Sequence, residues 1–214
     1  MGYLSGAGKT SDLVGFNGLA VDTAGDVYVT GFTFSQDFPR TTATPHAGAS
    51  DAFLTKIKSD GSAILWSTLL GGADEDRAYG LALDPAGNIY LTGFTLLANF
   101  PTLNAFDTTL GGARDSFVAK FNASGNRLWS TYLGGSGEER AIALVPDAAG
   151  NNLYVFGDTE SLSTRRSGET TTPSSPKSPP MAAASCGPRS SAVQAQKMTC
   201  CSVSSIGYTC GTKK

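Results

Sequence analysis

A chain of 214 residues with 40% hydrophobic side chains has material for one or two ordinary domains, and its 26 glycines call for many turns. No apolar run approaches the ~20 residues of a membrane helix, which excludes a helical span, and the start carries no basic-then-apolar leader. The formal net charge of −2 hides a division: residues 1–162 hold 9 Lys/Arg and 17 Asp/Glu, whereas residues 163–214 hold 7 and 1. All four cysteines (Cys186, Cys200, Cys201 and Cys210) lie in the second part, so two kinds of sequence meet near residue 160.

In chain order, Gly6-Ala7-Gly8-Lys9-Thr10 comes first and looks like the end of a phosphate-binding loop. The full motif needs a glycine where Tyr3 stands, and no apolar strand precedes it nor helical pattern follows it. Residues of about 13–33 then carry Val27-Tyr28-Val29-Thr30-Gly31 after the turn Asp22-Thr23-Ala24-Gly25, half of a repeating unit. A loop with Phe38-Pro39 and the single histidine, His46, leads to a full unit at about 51–95. That unit reads as four short strands near 52–57, 63–70, 80–83 and 88–92, rich in β-branched and aromatic residues and bounded by Asp/Gly/Asn clusters. A second long loop, 96–113, holds Phe100-Pro101, and a second full unit follows at about 115–158.

The spacing is nearly constant. Asp22 to Asp84 is 62 residues, Asp84 to Asp147 is 63, and Trp66 to Trp129 is 63. A period this long marks a supersecondary unit that buries its apolar face against its neighbours. Each Asp-x-x-Gly turn has its own chemistry: the aspartate accepts backbone N–H bonds and the glycine takes positive φ, so the flanking strands close as an antiparallel hairpin. Four antiparallel strands per unit without helices point to β-propeller blades.

The runs Asp115-Ser116-Phe117-Val118-Ala119-Lys120-Phe121-Asn122, Leu128-Trp129-Ser130-Thr131-Tyr132-Leu133-Gly134-Gly135 and Gly87-Asn88-Ile89-Tyr90-Leu91-Thr92-Gly93 resemble the SBBP family of bacterial β-propeller repeats over about residues 3–160. The resemblance implies blades of a multi-bladed propeller, in large exported or surface proteins, with no shared enzymatic activity. Some two and a half units do not close a ring of ~4–8 blades, so the expectation is a fragment of a longer propeller.

Residues 1–160 are thus read as propeller repeats and 161–214 as a low-complexity, disordered tail. A sharper reading of the tail is a fourth repeat translated out of frame. Shifted codons across Thr170 to Lys177 are compatible with DDAFVAK, and those across Cys186 to Thr199 with WSTFLGGSGTEDD, both close to the repeats.

Candidate chemistry is sparse. Asp74-Glu75-Asp76 and Glu138-Glu139 occupy equivalent loops and read as solvated turns rather than calcium ligands or a glycosidase pair. Asp22, Asp84 and Asp147 read as turn acceptors, His46 as an exposed loop residue, and Trp66 and Trp129 as inter-blade packing. One histidine excludes a His-based metal cluster within the chain, and the tail cysteines lack zinc spacing. The sequence therefore supports no catalytic, cofactor or metal site, no nucleic-acid partner and no membrane span. It leads to a non-enzymatic binding scaffold from a secreted or cell-surface protein, with an unidentified protein or carbohydrate ligand. The alternatives are a piece of a propeller-based lyase or glycoside hydrolase, or a gene-calling product without function of its own.

Overall fold

A computed structural model describes residues 14–96, 98–150 and 152–161, together with the backbone of 184–186, 197–204 and 207–212. Every regular element among them is a strand. The first sheet runs β1 (Val14–Val21), β2 (Val27–Thr33), β3 (Asp51–Ile57) and β4 (Ile64–Leu70), each antiparallel to the next. The second sheet repeats it with β5 (Asp76–Leu83), β6 (Ile89–Thr95), β7 (Asp115–Phe121) and β8 (Arg127–Leu133). A third sheet opens the same way, with β9 (Glu139–Pro146) antiparallel to β10 (Asn152–Thr159). This is the all-β, four-stranded antiparallel architecture that the sequence leads one to expect.

The phase of the repeat is different. Sequence units 51–95 and 115–158 each straddle two sheets, because β3 and β4 complete one sheet while β5 and β6 begin the next. The long loop 34–50 joins strands that are hydrogen-bonded neighbours, whereas residues 71–75 alone carry the chain from β4 to a new sheet. A period fixes a repeat's length and not its origin. Short links ordinarily join neighbouring strands, and here the short link makes the crossing.

Turn chemistry follows the aspartates. Asp22 Oδ1 accepts the N–H groups of Ala24 and Asp26, both at 3.0 Å, and Gly25 sits at φ 83°. Asp84 repeats this with Ala86 and Asn88 at 3.0 and 2.8 Å, and Gly87 lies at φ 80°. The tyrosine six residues on returns its hydroxyl to the same carboxylate, Tyr28 to Asp22 at 3.1 Å and Tyr90 to Asp84 at 3.0 Å. In the third sheet Asp147 receives the Asn152 amide at 2.5 Å, and Gly150 N–H bonds the Asp147 carbonyl at 2.9 Å.

Between the sheets lie the cores. One face of the first sheet, with Tyr28, Ala52, Leu54 and Leu70, packs on Ile89, Leu91, Phe117, Ala119 and Phe121 of the second. The second sheet's other face, with Tyr90 and Val118, packs on Ala141, Leu144, Leu153 and Val155 of the third. The first strands of the sheets are neighbours across both junctions: Asn17 Nδ2 donates to the Ala78 carbonyl at 2.8 Å, and a Cβ on Gly80 would lie 3.0 Å from Ala143 Cα. Like sheets stacked face to face with their first strands gathered on one side form the arc of a propeller.

Beyond β10, the chain departs from the repeat. β11 (Ala184–Cys186), β12 (Lys197–Ser204) and β13 (Gly207–Thr212) extend the third sheet, and β12 pairs with β10 in parallel where β3 and β7 stand antiparallel to β2 and β6. Within the stretch 161–214, residues 162–183, 187–196, 205–206 and 213–214 lie outside the described residues. An uncovered strand edge offers a row of N–H and C=O groups, and a Thr/Cys/Ser/Val-rich segment suits that pairing.

Candidate binding cleft

A cleft of ≈ 390 Å³ opens where the loop after β2 approaches the β7–β8 turn of the second sheet. Thr42, Thr68, Leu70, Phe121, Asn126 and Arg127 are among the residues lining it. The loop side is tied down by hydroxyls: Thr42 Oγ1 bonds Thr68 Oγ1 at 3.0 Å, and the Thr41 N–H reaches the Ser67 carbonyl at 2.9 Å. Arg127 supplies the lining's positive charge and is oriented by its Nη1 donating to the Pro101 carbonyl at 2.7 Å. Burial draws its pKa below the ordinary value. Apolar side chains beside threonine hydroxyls, an amide and one guanidinium can hold a ligand by contact and hydrogen bonding. The lining residues include no carboxylate, histidine or cysteine to serve as an acid, base or nucleophile.

Beside Gly71, one of the lining residues, two carboxylates are sealed into the junction. Asp51 is 0% and Asp76 1% exposed. Asp51 Oδ2 takes the Ala47 N–H at 2.9 Å, Asp76 Oδ2 takes the Gly72 N–H at 2.7 Å, and the Oδ1 atoms of both make no hydrogen bond. A Cβ on Gly71 would strike Asp51 Oδ1 and lie 3.0 Å from Asp76 Oδ2, so a glycine is required there. Burial pushes the Asp76 carboxyl up to about 7, with the neighbouring charges of Asp51 and Asp74 adding to it while bonds from Thr95 and Gly72 oppose it. Burial likewise raises Asp51. The next junction repeats the pair as Asp115 and Glu139. There Asp115 accepts the Gly111 and Gly112 N–H groups at 2.8 and 3.2 Å, and Glu139 takes the Gly135 N–H at 3.0 Å and the Thr159 hydroxyl at 2.9 Å.

These placements revise the reading of the acidic loops. Asp76 and Glu139 are buried junction residues and not solvated turns, because the first residue of β5 and of β9 points between sheets. Glu75 and Glu138 behave as surface charges, paired with Arg77 at 2.8 Å and Arg114 at 2.7 Å. Both arginines face Phe94, which their guanidinium carbons approach within 5.9 and 5.3 Å of the ring centre. His46 is half-buried rather than exposed, with Nε2 3.1 Å from the Thr33 carbonyl. Trp66 packs across the junction, its Nε1 donating to the Ala123 carbonyl at 3.2 Å, and Trp129 stands 6.4 Å from Tyr90. The phosphate-loop-like Gly6 to Thr10 and the cysteine side chains lie outside the described residues. Among the described residues no group of three or more His, Cys, Asp or Glu is arranged to hold a metal ion, and no helix is long and apolar enough to cross a membrane.

The sequence missed the cleft itself, since Thr42 lies in the loop after β2 and Asn126 and Arg127 in a later unit, and nothing in their spacing joins them. Comparison with known proteins adds two findings. Residues 65–101 match the family model described as SBBP, beta-propeller repeat. Over 121 residues the chain is 32% identical to the regulatory protein FlaEY of Caulobacter vibrioides (strain ATCC 19089 / CIP 103742 / CB 15), a stretch that covers 55% of this chain and 12% of that protein. The family match spans the end of one sheet and the first half of the next, so this stretch is similar to an SBBP beta-propeller repeat, and the same strand order recurs in the sheets on either side of it.

Proposed function

We propose that this chain is a non-catalytic binding scaffold, an arc of propeller blades that holds a protein or carbohydrate ligand in the cleft between its first two sheets. The observation that carries this reading is the lining of the cleft, which offers hydroxyls, an amide, one guanidinium and apolar surface but no group suited to proton transfer. The carboxylates with raised pKa, Asp51, Asp76 and Asp115, are each buried between sheets and do not line the cleft. Repeats without cysteine fit a parent protein that is exported or displayed on a cell surface. Similarity to a protein named as regulatory is in keeping with a role in recognition.

Glycan and peptide arrays probed with the chain, followed by titration of each hit, test the proposal. A ligand whose affinity falls about 10- to 100-fold in Arg127→Ala is expected, as loss of a charge-assisted hydrogen bond is worth about 1.5–3 kcal/mol. A hit of unchanged affinity in both Arg127→Ala and Asn126→Ala places binding elsewhere, and turnover of any arrayed glycan overturns the non-catalytic reading.

A further inference from the structure

Arg127 breaks the repeat where the cleft opens. At the end of the third strand, Ile57 pairs with Ile64 in the first sheet, whereas Phe121 pairs with Arg127 in the second. An apolar position has become a cation, and its side chain is half-buried. Among the described residues, Lys56, Lys58, Arg77, Arg114, Lys120 and Arg140 each pair with a carboxylate. The described lysines and arginines left without such a pair are Arg127 and the exposed Arg40. A guanidinium partly withdrawn from water without a counter-ion carries a desolvation cost that a bound anion relieves. The Pro101 carbonyl fixes the guanidinium through Nη1 alone, which leaves the rest of its fork for a ligand. That planar fork matches a carboxylate bidentately. Residues 1–162 hold more carboxylates than cations, yet none of those carboxylates lines the cleft.

The rest of the lining narrows the kind of molecule. Leu70 and Phe121 are buried, and the polar groups beside Arg127 are the hydroxyls of Thr42 and Thr44 and the amide of Asn126. Hydroxyls and amides both donate and accept, as sugar hydroxyls require of their partners. An extended peptide finds less to hold. The outer edges of β4 and β8 are already engaged, Ser67 by the Thr41 N–H at 2.9 Å and Ser130 by Leu103 in both directions at 3.1 and 2.9 Å. A peptide therefore cannot add a strand at these points. We propose that the cleft takes an acidic glycan, a uronic-acid residue whose carboxylate pairs with Arg127 while its hydroxyls meet Thr42, Thr44 and Asn126. The inference rests on the cleft being the ligand site. Both walls belong to sheets with all four strands in place, so the cleft is complete within this chain.

Calorimetric titration of the whole chain is the test, with short oligomers of galacturonic, glucuronic and mannuronic acid and with their methyl esters. At least one acid is expected to bind about tenfold or more tightly than its ester, which keeps the sugar and removes the charge. Arg127→Ile installs the residue that the first sheet carries at this position, and unchanged circular dichroism verifies folding. This variant should bind acid and ester alike. Oligoglutamate, which carries the same carboxylates on a peptide, should bind more weakly than the uronate. Equal affinity for acid and ester, an acid preference that persists in Arg127→Ile, tighter binding of oligoglutamate, or no uronate binding at millimolar concentration overturns the proposal. A neutral glycan or a peptide that loses affinity in Asn126→Ala would refute the acidic glycan while keeping the cleft as the binding site, so the two readings fail separately.

Discussion

Asp76 sits between sheets with one oxygen bonded to Gly72 N–H and the other making no hydrogen bond, next to the equally buried Asp51. Burial disfavours the charged form, and the neighbouring charge of Asp51 adds to it, so the Asp76 carboxyl is pushed up to about 7. Its ordinary value of 3.8 applies to the unfolded chain, so between these values the folded state alone binds the proton. The stability this proton contributes is full below pH ~4 and is lost as pH rises through ~7, a change of at most about 4 kcal/mol. Melting temperature is therefore expected to fall between about pH 4 and pH 7 in the native chain and to fall less in Asp76→Asn. Asp22 and Asp84, held low by hydrogen bonds that outweigh burial, act in the opposite sense and below that window. Gly93 makes a second point at this scale. A Cβ there would overlap the Arg77 carbonyl oxygen on the neighbouring strand, as it would at the equivalent Gly31 against Gly15. Gly93→Ala should cost about 1–3 kcal/mol or more, read by urea denaturation. The sequence displayed this glycine three times after its Thr or Phe, without saying that a backbone approach required it.

At the scale of elements, the strands and their turns were legible because each has a local cause. Runs rich in β-branched and aromatic residues bounded by Asp/Gly/Asn clusters made the strands, and the Asp-x-x-Gly turns closed the hairpins through the carboxylate contacts seen at Asp22 and Asp84. Loops were less legible. Phe38 and Phe100 stand beside prolines in long connections, yet they are 1% and 3% exposed. Phe100 stacks on Phe117 at 4.7 Å between ring centres, and its N–H donates to the Tyr132 hydroxyl at 2.9 Å. A large aromatic recurring 62 residues apart inside a loop was the available signal; a loop tolerates an exposed aromatic only poorly, and repetition marks the position as core. Phe100→Ala should lower stability by about 3–5 kcal/mol, the cost of a buried aromatic cavity, and a chemical denaturation midpoint unchanged by it would refute a core role. The phase of the sheets was not legible either, because the short Gly71-Gly72 link between β4 and β5 resembles a hairpin turn while serving as the crossing between sheets.

For the whole molecule, one face-to-face packing scheme explains burial and exposure together. Tyr28 and Tyr90 are covered and Tyr154 is not, since each sheet shields the one before it. The cleft follows from the same stacking, as its walls come from adjacent sheets, and so it could not be read from either unit alone. Propeller stacking requires the first strands of successive sheets to be neighbours while β4 and β5 share no ladder. Nuclear Overhauser contacts across these strands test it most directly. Stacked blades give contacts from Gly18 to Leu81 and from Gly80 to Ala143, whose atoms lie about 3 Å apart once a Cβ is placed on each glycine. A run of backbone contacts between β4 and β5, with none between β1 and β5, would mean one continuous sheet and contradict the propeller arc.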